Sequence, residues 1–363
     1  MKKIDVTIPQ KSYPFFIGEN ILPKLPGQIK KLGLNKNLFL IIDRNVQKFY
    51  GKTLDELFSD FEGKVKKQVI TASEKNKTHE TLTLLYNSLL KNGFGRDTVI
   101  VAIGGGIVGD IAGFVASTFS RGVQYVQVPT TLLAAVDSSV GGKTGVNFGA
   151  TKNIVGAFYQ PDFVLFDTDF LKTLGEKELL CGIGEITKYA FLAGQSYFNY
   201  ASKNIDRIFD TEKNVVSRIV VDSISYKASV VSKDEKESGI RKVLNLGHTF
   251  AHAVEVEQSH KIKHGEAVIV GIVCSLFLSN KLMIISDVEL KKQLGFFNRF
   301  LGRIKISKPN LDALYKIMLR DKKNRENIIK FVLIKTSGEI LLDVVAEKKD
   351  VYFALKNGLQ LFS

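Results

Sequence analysis

The chain has 363 residues, 45% hydrophobic and 24% charged, with seven prolines and no tryptophan; this excludes a disordered or collagen-like polymer and leaves room for about two domains. The 51 Lys and Arg against 37 Asp and Glu give a formal net charge of +14, but the lysines fall in scattered pairs such as Lys30-Lys31 and Lys291-Lys292. No like-charge block or aromatic-interleaved strip marks a nucleic-acid surface.

Two cysteines, Cys181 and Cys274, rule out a disulfide framework and a thiolate zinc site. No secretory segment follows Met-Lys-Lys, and the longest apolar run, Ala267–Leu278, is too short to span a bilayer. A cytoplasmic protein with neither a membrane nor a nucleic-acid partner is expected.

Lys2–Ile8 and Tyr13–Ile17 alternate apolar with polar residues and are predicted as short strands. Leu38–Asp43 is a continuous apolar run ending in an acid, as a strand buried on both faces would be, and Val65–Ile70 is a second candidate. Thr78–Lys91 has helical spacing with a stop at Gly93. The strand Thr98–Ile103 runs straight into Gly104–Asp110, then a helix over Ile111–Phe119 and a strand over Gln124–Val128, which together make a βαβ unit. Helical periodicity then dominates, over Lys177–Leu192, Lys213–Asp234, Val243–Glu257, Glu266–Lys281 and Ser286–Phe300. A late hairpin is predicted from Ile328–Ile334 and Glu339–Val344. The expected architecture is an α/β dinucleotide-binding domain over 1–171 and a mainly α-helical metal- and substrate-binding domain over 172–363. The active site is expected in the cleft between them.

Gly104-x-Gly106-x-x-Gly109 has dinucleotide spacing in the required place, after a strand and opening a helix, where backbone N–H groups can meet a pyrophosphate. The ribose-binding acid normally found about 20 residues on is replaced by Pro129-Thr130-Thr131. Asp43, ending an earlier strand, can serve instead, and Asp110 can contact a nicotinamide. Gly142-Lys143-Thr144 is not a triphosphate loop, because Asp137 stands where that loop needs a glycine.

Four of the five histidines, His248, His252, His260 and His264, cluster in a short stretch. His248 and His252 share a helix face, but the segment lacks the glutamate of a zinc peptidase. Two histidines and a helix-borne Glu185 are candidate ligands for a catalytic metal, with His248 and His252 both open as the first histidine. Arg121, Lys143, Lys152-Asn153, Lys227, Arg241 and Asn245 can supply an anion pocket.

These segments together resemble the 3-dehydroquinate synthase family of sugar-phosphate cyclases. The resemblance rests on Gly104–Asp110 (GGGIVGD), Pro129–Asn147 (PTTLLAAVDSSVGGKTGVN), Lys152–Pro161 (KNIVGAFYQP) and Gly184–Tyr189 (GEITKY). It continues through Arg241–Glu255 (RKVLNLGHTFAHAVE), His264–Val268 (HGEAV) and Asp321-Lys322-Lys323.

It implies a cytoplasmic lyase of the shikimate pathway that uses NAD and a zinc or cobalt ion. The implied reaction takes 3-deoxy-D-arabino-heptulosonate 7-phosphate to 3-dehydroquinate and phosphate by transient oxidation, β-elimination, reduction and aldol closure. By motif, Glu185, His248 and His264 are the implied metal ligands, with His252 in the substrate pocket. Gly105, Gly106, Asp110, Thr130 and Thr131 are implied to hold NAD, with Asp43 at the adenosine end. Ser73-Glu74-Lys75-Asn76-Lys77 stands for the family's adenine-side Gly-Glu-x-x-Lys, which brings in Glu74 and Lys77. Asp137, Lys143, Lys188, Lys227 and Asn245 would orient the substrate, while Lys152, Asn153 and Arg241 would face its phosphate. Lys143 and Lys152 count also as cofactor contacts, and Lys322, or its neighbour Lys323, as a further substrate contact. Arg121 is implied to reach a neighbouring subunit's phosphate site in a homodimer. Gly175 replaces a proline usual in the family.

Overall fold

The computed structural model describes all residues other than 10, 150 and 321–327. The chain divides into two compact units. One, the sheet unit, comprises Met1–Gly175 with Lys213–Glu235; the other, the helical unit, comprises Glu176–Glu212 with Lys236–Ser363.

The sheet unit contains β1 (Lys2–Val6), β2 (Tyr13–Gly18), β3 (Asn37–Asp43), β4 (Val65–Ile70), β5 (Thr98–Gly104) and β6 (Gln124–Pro129). The hairpin β7 (Lys143–Phe148) and β8 (Thr151–Phe158) precedes β9 (Phe163–Asp167). Among the described residues the main sheet has the order β1-β2-β9-β6-β5-β3-β4, parallel throughout except at β1.

Both faces are covered, which is why β3 and β5 read as unbroken apolar runs. Leu38, Leu40 and Ile42 pack with Leu25 and Ile29 of α1 (Leu25–Lys31) and with Val46 and Leu54 of α2 (Arg44–Leu57). The alternate residues Phe39 and Ile41 pack with Leu82, Leu85 and Leu89 of α3 (His79–Lys91) and with Ile111 and Val115 of α4 (Gly106–Thr118). Each such buried side chain contributes about 1.5–3 kcal/mol relative to exposure.

β3 leads outward to β4, whereas β5 leads the opposite way to β6, so the order reverses between β3 and β5. Ligands of open parallel sheets sit beyond the carboxyl ends of strands at such a reversal. Asp43 and the Gly104–Gly106 turn occupy those ends.

Asp167 anchors the other side of the sheet. Buried at the end of β9, its carboxylate accepts the backbone N–H groups of Asn20 (3.0 Å), Ile21 (2.7 Å), Leu22 (2.8 Å) and Asp169 (3.0 Å).

The helical unit begins with α5 (Glu176–Leu192) and α6 (Gln195–Asn204). The chain then supplies α7 (Lys213–Lys233) to the sheet unit. It continues in the helical unit with α8 (His248–Glu257), α9 (His264–Lys281), α10 (Asp287–Leu294), α11 (Leu311–Leu319), the hairpin β10 (Lys330–Thr336) and β11 (Glu339–Val345), and α12 (Lys348–Gln360). α9 is buried almost throughout from Gly265 to Ser279, which accounts for its long apolar run. Among the described residues no helix is long and apolar enough to cross a membrane.

Four features differ from the sequence expectation. α4 starts at Gly106, with Gly105 as its N-cap, not at Ile111, because the glycine turn is itself the first helical turn. The helix expected over Val243–Glu257 is broken: Ile240–Asn245 is 3₁₀, Gly247 adopts φ +77°, and α8 starts only at His248. Arg241 and Asn245 therefore do not share an α-helical face. The β7–β8 hairpin falls in a stretch where no strand is expected. Finally, α7 groups with the sheet unit although it lies in the C-terminal half of the sequence.

Candidate functional site

In the sheet unit, Gly105 caps α4 without a side-chain hydrogen bond, which leaves the helix N-terminus open toward the carboxyl end of β5. Thr130 donates its backbone N–H to the Gly104 carbonyl (3.0 Å), and the Thr131 hydroxyl accepts from the Ala134 N–H (3.2 Å). The turn, the open helix N-terminus and the two threonines make a cradle suited to a pyrophosphate. The Asp43 carboxylate caps α2 by accepting from the Asn45 N–H (2.7 Å) and also accepts from the Ala72 N–H (3.3 Å), so the acid has a structural duty at the sheet reversal.

Lys77 is buried and joins two other expected site residues. Its ammonium donates to Asp110 (2.5 Å) and to the Asn153 side-chain oxygen (2.5 Å). Burial raises the Asp110 carboxyl above its ordinary value, with the Lys77 charge pulling the other way. Lys77 thus stands with Asp110 and Asn153, while Glu74 of the same segment accepts from the Asn147 amide (2.9 Å). Asn147 in turn accepts from the Asn153 N–H (2.9 Å), where Asn153 holds φ +50°.

The hairpin carries Lys143 and Lys152 on its exposed side. Asp137 sits on a single π-helical turn, Ala134–Ser138, a form of backbone often found at functional sites. The ammonium of Lys227, brought by α7, donates to the Asp137 carbonyl (2.7 Å) and lies 2.9 Å from its carboxylate. Arg121 is exposed and left-handed at φ +67°, just before Gly122.

In the helical unit, Glu185 of α5, His248 of α8 and His264 of α9 bring one ligand atom each within 4.8 Å of one another. Among the described residues this group contains His248 and not His252, whose ring lies 5.5 Å from that of His248. Glu185 Oε1 is 3.2 Å from His264 Nε2 and 3.6 Å from His248 Nε2. Lys188, one turn along α5 and also buried, forms an ion pair with the other Glu185 oxygen.

The remaining ring nitrogens are anchored: His248 Nδ1 to the Leu246 carbonyl (3.1 Å) and His264 Nδ1 to the Glu255 carboxylate (2.9 Å). Burial alone would lower the His264 imidazole, but the hydrogen bonds and charges of Glu185 and Glu255 outweigh it and raise it to about 10. One carboxylate with two imidazoles is a donor set that suits zinc or cobalt. Arg241 is buried in the 3₁₀ segment, and the Asn245 amide donates to Glu237 (2.7 Å). Lys322 and Lys323 lie outside the described residues.

Sequence reasoning missed Glu255, although His248, His252 and Glu255 follow an i, i+4, i+7 spacing that places all three on one face of α8. It also passed over Gly184 and Gly265, neighbours of two of the candidate ligands.

Comparison with known proteins gives a consistent result. Family models described as 3-dehydroquinate synthase N-terminal and 3-dehydroquinate synthase C-terminal match residues 67–181 and 182–324. A 3-dehydroquinate synthase from Pelagibacter ubique (strain HTCC1062) is 40% identical over 364 residues, covering 98% of each chain. Among solved structures, a 2-deoxy-scyllo-inosose synthase complexed with carbaglucose-6-phosphate, NAD+ and Co2+ superposes with a TM-score of 0.85 at 25% identity, covering 99% of this chain and 100% of that one. A 2-epi-5-epi-valiolone synthase from Streptomyces hygroscopicus subsp. jinggangensis 5008, with NAD+ and Zn2+ bound, shares the fold at a TM-score of 0.86 and 23% identity, covering 98% of each chain.

Proposed function

Since the chain belongs to the 3-dehydroquinate synthase family, we propose that it converts 3-deoxy-D-arabino-heptulosonate 7-phosphate to 3-dehydroquinate and phosphate in the shikimate pathway, with NAD and a zinc or cobalt ion as cofactors. The observation that carries this reading is the convergence of Glu185, His248 and His264 in a chain that also presents a glycine turn at a sheet reversal. Bound NAD and metal supply a reversible hydride acceptor and a Lewis acid for the hydroxyl that is oxidised.

The chain's own residues do the rest. Glu185, His248 and His264 hold the metal. Gly105, Gly106, Thr130 and Thr131 cradle the dinucleotide pyrophosphate, Asp110 meets the nicotinamide, and Asp43 and Glu74 serve the adenosine side. Lys77 fixes Asp110 and Asn153 relative to each other through its two hydrogen bonds. Lys188, Lys227, Asp137, Lys143 and Asn245 orient the substrate's hydroxyls and carboxylate.

Oxidation next to a C–H bond acidifies it. The proton is then lost, its electron pair forms the C=C bond, and the C–O bond to phosphate breaks. Arg241, Lys152 and Asn153 receive the negative charge that builds on the leaving group, the arginine as a fork and the lysine as a point charge. The departing phosphate itself can take up the proton, which leaves His252 to hydrogen-bond substrate as well as to move protons. In the same reading the protein is a cytoplasmic homodimer, with the exposed Arg121 reaching the neighbouring subunit's phosphate site.

The test supplies the purified protein with this substrate, NAD+ and Zn2+. Phosphate and dehydroquinate appear in equal amounts with no net NADH, and a chelator stops both until zinc or cobalt is restored. Absence of phosphate release overturns the reading, and net NADH accumulation identifies a simple alcohol dehydrogenase instead. Light scattering at a monomer mass would remove the dimer.

A further inference from the structure

We infer that Glu255 is a positioning residue for the metal site, fixing the tautomer and ring orientation of His264 so that Nε2 is presented as a ligand. The inference rests on the ligand reading above. A neutral imidazole has one N–H and one lone pair, and a carboxylate can only accept. With Glu255 Oε1 2.9 Å from Nδ1, that nitrogen keeps an N–H, so Nε2, 3.2 Å from Glu185, is the nitrogen that gives up its proton and turns a lone pair to a cation when one binds.

His248 is arranged the same way, with Nδ1 on the Leu246 carbonyl and Nε2 toward Glu185. The two anchors differ in kind. The backbone carbonyl is neutral and fixed by the fold, whereas the one on His264 is a carboxylate, 13% exposed, projecting from the last turn of α8. A carboxylate behind an imidazole makes the ring a stronger donor and holds it in plane, and loss of such a partner commonly weakens metal binding about 10–100-fold.

The residue also ties α8 to α9, so the experiment must separate positioning from packing. Zinc affinity is measured by competition with a chromophoric chelator on the protein without NAD, for wild type, Glu255→Gln, Glu255→Ala and His264→Ala. The visible spectrum of the cobalt-substituted forms is recorded alongside, with thermal melting of the metal-free proteins.

Glu255→Ala should lose about 10–100-fold in zinc affinity. Its cobalt spectrum should shift, while melting of the metal-free protein changes little. Glu255→Gln, which keeps the shape and an acceptor oxygen but not the charge, should fall between the two. Wild-type affinity and an unaltered cobalt spectrum in Glu255→Ala would overturn the inference. If Glu255→Ala does not fold, Glu255→Gln decides: a several-fold weaker affinity supports it and an unchanged one overturns it. If His264→Ala binds zinc as tightly as wild type, the ligand reading itself has failed, and the role of Glu255 falls with it.

Discussion

Gly184 and Gly265 meet backbone to backbone: a Cβ on Gly184 would overlap the carbonyl oxygen of Gly265, and a Cβ on Gly265 would overlap that of Cys181. The contact lets α5 and α9 approach closely beside Glu185 and His264, the next residue on in one helix and the one before in the other. Because the obstructing atoms are backbone, no side-chain rotation can relieve the overlap, and the helices must move apart. Gly184→Ala and Gly265→Ala should each cost about 1–3 kcal/mol of stability and weaken zinc binding at least about tenfold, since displacing a ligand by a fraction of an ångström spoils coordination. Urea unfolding and chelator competition measure the two effects. Wild-type zinc affinity in both variants would show that the close approach serves packing alone.

The parts legible in the sequence are those whose signal is local. Leu38–Asp43 and Thr98–Ile103 read as buried strands because both faces are covered, and the glycine turn stands out through its spacing together with its place after a strand and at the start of a helix. The histidines stand out because the residue is rare in this chain and four of the five cluster in a short stretch. What the sequence concealed depends on contacts between distant segments. The membership of α7 in the sheet unit depends on contacts such as that of Lys227 with Asp137, far away in the chain. Gly145 in β7, Gly156 in β8 and Gly149 between them dilute the strand pattern, so the hairpin escapes notice in the sequence. The break at Gly247 hid behind apolar periodicity that continued on both sides of it. Glu255 was on the visible face of α8, but only the approach of α9 gives its carboxylate a partner.

Asp167 offers a stability prediction independent of the chemistry. Its carboxylate takes four backbone N–H groups, and hydrogen bonds to charged acceptors contribute about 1.5–3 kcal/mol each before they share one ion. Asp167→Asn keeps one acceptor oxygen but turns an amide donor toward N–H groups that are also donors. The variant should lose about 3 kcal/mol, seen as a lower urea midpoint at unchanged slope. A midpoint within error of wild type would mean that the N–H groups of Asn20–Leu22 find other acceptors.

Asp110 gives a pH prediction. Burial raises its folded-state value above the ordinary carboxylate range, so between those two values the folded protein binds more protons than the unfolded chain. The slope of stability with pH is then negative: this group's contribution is fully present below the ordinary carboxylate value and is lost as pH rises through the raised one. In Asp110→Asn that fall disappears, and the difference in urea midpoint between variant and wild type changes across the window, then levels off above it. A difference that stays constant from about pH 3.5 to about pH 8, a range that starts near the ordinary carboxylate value, would contradict the assignment.

Lys227 and Asp137 form the pair whose removal separates orientation from binding. The ammonium is buried and reaches both the carbonyl and the carboxylate of Asp137, so it fixes the π-helical turn as well as the acid. Lys227→Met keeps the length and the apolar stem but removes the charge. It should lower kcat/KM by about 10²–10³-fold, the scale of losing one well-placed polar group from a transition state. Lys227→Arg should rescue little of this, because a planar fork does not match a point charge shared between two oxygens of one residue. Since the two side chains act as a unit, Asp137→Asn added to Lys227→Met should cost little beyond the worse single variant. Losses that simply multiply in the double variant would instead place the two residues on separate parts of the substrate, with their contact in the free protein incidental to catalysis.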